Sequence, residues 1–213
     1  MLLLKKLSLV FLLLLGFKAN AQYQKSALEV QTDSLVAALR SQRVDTICIT
    51  KSYCVGCRGS RISDDSPCAT KGILMPIYVL WKKSNVTYAI YLDNCANKKP
   101  IEINENKFWK YLTDNQQKIT SGEIKNFTVN DHGKLEGLSR NHGVHYSYKF
   151  LIKQETISQY FDGFDLVKKD KFFHKQVKNI YYKSNKANPI WKIALLLRQA
   201  VTEADKKWGV SQN

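Results

Sequence analysis

Ile77-Tyr78-Val79-Leu80-Trp81-Lys82-Lys83-Ser84-Asn85-Val86-Thr87-Tyr88-Ala89-Ile90-Tyr91-Leu92 carries two apolar runs on either side of a short polar break. The run from Ile73 to Lys82 is apolar at successive positions around Ile77 to Trp81, a pattern expected of a strand covered on both faces. Ser84-Asn85 are turn formers, and Val86 to Leu92 returns with β-branched and aromatic residues, so the stretch reads as a β-hairpin.

Upstream of the hairpin, Ser26 to Gln42 places Leu28, Leu35, Val36 and Leu39 on one helical stripe, and Val44 to Thr50 is a short β-rich run. Downstream, Asn104 is a candidate N-cap for a helix over 105–118, with Phe108, Tyr111, Leu112 and Ile119 at helical spacing and Gly122 as its stop. Residues 121–143 carry turn signals. Val144 to Ile152 then alternates, with Val144, Tyr146, Tyr148, Phe150 and Ile152 on one face. Gln176 to Lys183 is a candidate further strand. In the last element Asn188 caps, Pro189 fits the first helical position, and Ile190, Ala194, Leu197, Val201, Ala204 and Trp208 form the apolar stripe, with Gly209 ending it. This order predicts an α+β fold, a small antiparallel sheet with helices packed against it.

The N-terminus has the form of an export signal. Lys5 and Lys6 precede the apolar run Leu7 to Phe17, and Ala19-Asn20-Ala21 is a small-x-small cleavage pattern. The apolar run falls short of the roughly 20 residues a membrane span needs. The expected organisation is a cleaved signal peptide at 1–21 and a single domain over 22–213, secreted or periplasmic, with no transmembrane segment after cleavage. The formal net charge is +15. The leader contributes Lys5, Lys6 and Lys18 and no acid, so the remaining domain stays strongly basic and attracts acidic polymers or acidic protein surfaces.

All five cysteines, Cys48, Cys54, Cys57, Cys68 and Cys95, follow the leader. Export places them where disulfides persist, and the odd number leaves one without an intramolecular partner. The segment Ser52 to Gly72 is rich in Gly, Ser, Asp and Cys with no period, long for an unstructured connection, and is therefore expected to be cross-linked or functional. Cys54, Cys57, Cys68 and Cys95 are the disulfide candidates. Spacing alone does not fix the connectivity; Cys57 with Cys68 and Cys54 with Cys95 is the expected pairing, leaving Cys48 in its strand as a buried thiol.

Cys54-Val55-Gly56-Cys57, followed by Gly72-Ile73-Leu74-Met75-Pro76 and an apolar strand, locally resembles the redox motif and facing proline of thioredoxin-like proteins. That resemblance implies a thiol-disulfide oxidoreductase with Cys54 as nucleophile and Cys57 as resolving thiol. Arg58 to Pro67, however, is too rich in Gly, Ser, Asp and Pro for the helix that stabilises such a thiolate. The same four cysteines would also make a tetrahedral zinc shell, but only one half has chelating spacing, and no metal or other cofactor is assigned.

His132, His142, His145 and His174 are the histidines. His142 and His145 beside Arg140, with Asp131-His132 nearby, raise a metal-dependent hydrolase or nuclease reading, but their spacing fits no catalytic motif. No G-x-S-x-G, H-E-x-x-H or phosphate-cradling glycine loop is present. Residues 165–192 are the most basic, and Lys168, Lys169, Lys171, Lys175 and Lys178 are candidate polyanion-binding residues, interleaved with Phe172, Phe173, Tyr181, Tyr182 and Trp191. The reading these features favour is an exported, basic, disulfide-stabilised binding or interaction protein of unknown ligand. Oxidoreductase or metal binding at Cys54 and Cys57, and polyanion binding through 165–192, are the alternatives.

Overall fold

A computed structural model of the chain describes residues 26–55, 76–93, 98–172 and 174–209. The expected signal peptide, most of the cysteine loop, and Cys57, Cys68 and Cys95 lie outside the described residues. Helix α1 (Ala27–Ser41) comes first and is followed by β1 (Thr46–Val55), β2 (Ile77–Lys83), β3 (Val86–Leu92) and the short β4 (Ile101–Ile103). Helix α2 (Lys107–Ser121) leads to a separate hairpin of β5 (Thr128–Asp131) and β6 (Lys134–Gly137). β7 (Gly143–Ile152), β8 (Glu155–Asp162), a 3-10 turn at Gly163–Leu166 and a second small hairpin, β9 (Lys169–Phe172) and β10 (Lys175–Lys178), follow. The short α3 (Tyr182–Ala187) and the long α4 (Pro189–Trp208) complete the described chain. Among the described residues no helix is long and apolar enough to cross a membrane.

The β2–β3 hairpin forms as the sequence predicts. Ser84 and Asn85 both take positive φ, 50° and 65°, the two-residue turn geometry whose twist matches the flanking strands. Around it the sheet has six strands in the order β4-β3-β2-β1-β7-β8, and all its pairings are antiparallel. The α+β architecture with helices packed on an antiparallel sheet is therefore present, and the sheet is larger than the small one expected. β1 is longer at its end than the Val44–Thr50 run predicts, carrying Ser52, Tyr53 and Cys54 into the ladder opposite Tyr146, His145 and Val144.

Alternation sorts the strands onto two faces. On the first, Ile47, Val79, Trp81, Ile90 and Leu92 pack under α1, whose Leu28 and Leu39 are buried with them. Helix α1 starts with a reciprocal cap: Ser26 Oγ accepts from the Glu29 amide at 3.3 Å, and the Ser26 amide donates to Glu29 at 3.0 Å. On the second face, Cys48, Leu80, Tyr148, Phe150 and Ile157 meet Phe108, Leu112 and Ile119 of α2 and Ile190, Ala194 and Leu197 of α4.

Several local expectations are corrected. The N-cap of α2 is Asn106 rather than Asn104, because the Glu203 carboxylate of α4 takes the Asn104 and Glu105 amides at 2.9 Å each. The strand expected over Gln176 to Lys183 stops at Lys178, where Asn179 turns the chain into α3. β8 was not predicted. Ile157 and Phe161 are its buried side chains, and the Lys153-Gln154 turn before it lacks glycine or Asn-Gly.

A polar knot fastens the β5–β6 and β9–β10 hairpins to the body. Asp165 Oδ1 accepts from the Phe127 amide at 2.7 Å. Asn179 Nδ2 and Asn185 Nδ2 both donate to the Asp165 carbonyl, at 2.9 and 3.0 Å. Asn185 also donates to the Lys125 carbonyl at 2.7 Å and accepts from the Lys125 amide at 3.1 Å. These three side chains are buried, which fits the rule that buried polar groups are hydrogen-bonded.

Candidate functional site

Helix α4 and the second sheet face enclose a cleft lined by helix residues from Trp191 to Asp205. Its volume is about 550 Å³. The sheet side comes from Thr50 and Ser52 of β1, Tyr78 of β2, Tyr91 of β3 and Val144, Tyr146 and Tyr148 of β7; the helix side comes from Trp191, Leu195, Arg198, Val201, Thr202 and Asp205. The register explains the tyrosines: Tyr78 lies opposite both Thr50 and Tyr91, and Thr50 lies opposite Tyr148. The small β1 residues leave room between larger neighbours.

Asp205 is only 3% exposed. Tyr78 Oη donates to its Oδ1 at 2.9 Å across the cleft floor. Burial pushes the Tyr78 phenol far above its ordinary range, and the Asp205 charge and hydrogen bond add to this. Tyr148 is raised as well, again by burial first. Both phenols therefore stay protonated, and Tyr78 is the donor to Asp205. Tyr91 stands edge-on to Tyr78 with ring centres 5.4 Å apart. Trp191 meets Phe161 edge-on, and the Lys186 ammonium lies 4.2 Å from its ring centre. The arrangement is a half-open, aromatic-walled cleft with a few convergent polar groups, the usual form of a small-ligand site.

The residues singled out from sequence are distributed differently. Cys48 is a free, fully buried thiol, and burial pushes its pKa well up, which removes it from thiolate chemistry. Cys54 is half-buried near the end of β1; the other disulfide candidates, Cys57, Cys68 and Cys95, lie outside the described residues. By strand alternation Cys54 belongs to the cleft face, opposite Val144 at the lip.

The histidines do not converge. His132 and His174 occupy turn positions with positive φ, and His142 is exposed before β7. His145 stacks on Tyr53 with ring centres 5.1 Å apart and contacts Tyr160 Oη through Nδ1 at 2.6 Å, with Asp162 at 3.9 Å. Tyr160 is pushed up to about 12, by burial first and then by Tyr53 and nearby carboxylates. This cluster sits on the sheet face opposite the cleft. Arg140 is already engaged as a two-pronged partner of Asp170, with its guanidinium over Phe164. Among the described residues no group of three His, Cys, Asp or Glu side chains can hold a metal ion.

Lys168, Lys169, Lys171, Lys175 and Lys178 are all exposed on or beside the β9–β10 hairpin. The pairing of Lys169 with Lys178 puts these two, together with Lys171, on one face of that hairpin. Of the described aromatics interleaved there, Tyr181 and Tyr182 lie under Lys125 and Lys186, and Trp191 belongs to the cleft. Sequence reasoning missed the cleft because its residues come from five elements. The one local signal was Tyr146 and Tyr148 on the same strand face as Val144. Comparison with protein-family models, curated proteins and solved structures gives no match for this chain.

Proposed function

We propose that this is an exported, disulfide-stabilised binding protein whose ligand enters the cleft between α4 and the sheet. The observation that carries the reading is the cleft itself: tyrosine and tryptophan walls, a buried carboxylate on the floor and an arginine at the rim, in a volume suited to a small organic molecule. The cysteine loop fits this reading as a staple. It leaves the sheet just after Cys54 and returns at Pro76, which lines the cleft, so cross-linking the loop would fix the cleft mouth. The pairing Cys54 with Cys95 and Cys57 with Cys68 stays our proposal. Replacing Cys95 with Ser lowers the melting temperature if that bridge exists, and an unchanged melt counts against it.

The test of the cleft is a lip-blocking variant. Val144 is 39% exposed, so Val144→Trp places a bulky ring over the opening on a strand that accepts aromatics. Ligand-observed NMR against a small-molecule library should find binders for the wild type that are lost in Val144→Trp while the melting temperature stays near wild type. Binders that persist in Val144→Trp would place the ligand elsewhere.

A second reading, polyanion binding, is favoured by one observation, the exposed Lys169, Lys171 and Lys178 on a single hairpin face. It predicts heparin or oligonucleotide affinity that falls steeply with added salt, with a shallower slope when these three are replaced by Ala. Salt-independent binding would count against it.

A further inference from the structure

The two ends of the cleft differ in charge, and this selects among small ligands. At one end Asp205 is buried beneath Tyr78 and Tyr91. Asp93 follows β3 directly, and its charge, like that of Asp205, reaches the Tyr78 phenol and raises it. Two carboxylates thus act on the Tyr78 phenol at this end of the cleft. Two tyrosine rings set edge to face beside a buried carboxylate present the two features that attract an organic ammonium: ring π-faces and a fixed opposite charge out of water. At the other end Arg198 lies two helical turns before Asp205, about 10 Å along the axis. Between them the helix lines the cleft with Val201 and Thr202, and Trp191 lies two further turns beyond Arg198.

We infer, building on the cleft reading above, that the cleft takes an organic monocation, with its ammonium group against Tyr78, Tyr91 and Asp205 and its apolar body along Val201 toward Arg198. Arg198 disfavours a second positive charge at the far end and accommodates a neutral or acidic one. A neutral sugar would use the same walls by stacking. It gains nothing from the buried charge, however, and the T-shaped pair of Tyr78 and Tyr91, at an interplanar angle of 80°, is not a flat platform.

The experiment is an NMR titration of the full mature chain with phenethylamine, its neutral isostere phenethyl alcohol, the anion hydrocinnamate, and maltotriose. Phenethylamine should bind roughly tenfold or more tighter than the alcohol, with shifts at residues around Tyr78, Tyr91 and Asp205. Asp205→Asn keeps an acceptor for Tyr78 and should abolish the amine's advantage. Since a buried residue is altered there, Tyr91→Leu provides a second variant, which should weaken the amine several-fold more than it weakens the alcohol. Equal binding of amine and alcohol, tighter binding of the anion or the sugar, or no amine binding at saturating concentration overturns the inference. Val144→Trp separates the two levels. If it removes binding of amine and alcohol that bind equally, the cleft stands and the cation preference falls; if binding persists in Val144→Trp, the cleft reading falls with it.

Discussion

Asn185 is expected to be among the most sensitive polar positions in the protein. Its side chain is 1% exposed and makes three hydrogen bonds, to the Lys125 amide and carbonyl and to the Asp165 carbonyl. Asn185→Ala removes all three. The Asp165 carbonyl keeps its bond from Asn179, and the Lys125 groups are only partly buried, so the full desolvation penalty does not apply at every site. At about 1 kcal/mol net for each bond, the loss is roughly 3 kcal/mol. For a chain of this size that corresponds to a fall of about 6–12 °C in melting temperature. Asn185→Asp sharpens the test, since it keeps the acceptor for the Lys125 amide but turns a carboxylate oxygen toward two carbonyls. Its defect should ease as pH falls and the new carboxyl protonates. Urea unfolding followed by tryptophan fluorescence and circular dichroism measures both. A loss below about 1 kcal/mol for Asn185→Ala, less than one typical bond, would refute the claim that this knot fastens the hairpins to the sheet.

Asp165 gives a pH-dependent expectation. Burial raises its pKa, the nearby Asp162 charge adds to this, and the Phe127 amide opposes it. A carboxyl raised in the fold binds its proton more tightly there than when unfolded, so its contribution favours the folded state below the unfolded pKa and declines as pH rises through the folded value. Asp165→Asn should therefore gain stability relative to wild type across that window, and a difference independent of pH in paired urea melts would contradict the assignment. Gly122 gives a steric expectation. A Cβ there would lie 2.5 Å from the Lys118 carbonyl and 3.2 Å from Ile190, so Gly122→Ala should lose about 1–3 kcal/mol; a neutral substitution by thermal melt would mean the helix end relaxes freely.

The sequence makes legible those elements whose pattern is strong and local. The β2–β3 hairpin, α1 and α4 follow from apolar runs, a capping serine, and the Asn188-Pro189 start with Gly209 at its end. Gly209 has φ 68°, the left-handed conformation expected where glycine ends a helix. Gly122 also ends its helix, but for another reason: its φ is −77°, and what it needs is space beside a carbonyl. The elements that escaped are those that bury little. β8 buries Ile157 and Phe161 but spaces them with Gln159, and β5, β6 and β9 are four-residue strands whose stability depends on Asp165, Asn179 and Asn185. Polar residues of that kind read as loop from sequence alone, because only tertiary structure shows that their partners are backbone groups far along the chain.

The β1–β7 pair explains why the sharpest sequence motifs and the cleft lie together without being the same site. Successive side chains point to opposite faces, so Thr50 and Ser52 contribute to the cleft while Tyr53 joins His145 and Tyr160 on the other side. The stack of these three rings packs where β1 ends and the cysteine segment departs. A one-residue slip of β1 against β7 would carry Tyr53 into the cleft and Ser52 out of it. The ring stack and the Asp162 contact to His145 oppose that slip, and they give a half-buried histidine a structural task at the strand end that shapes the cleft mouth. Chemistry read into His145 from its neighbours in sequence is thus replaced by register, and the groups left to meet a ligand are those on the opposite face, where Tyr78, Tyr91, Arg198 and Asp205 converge.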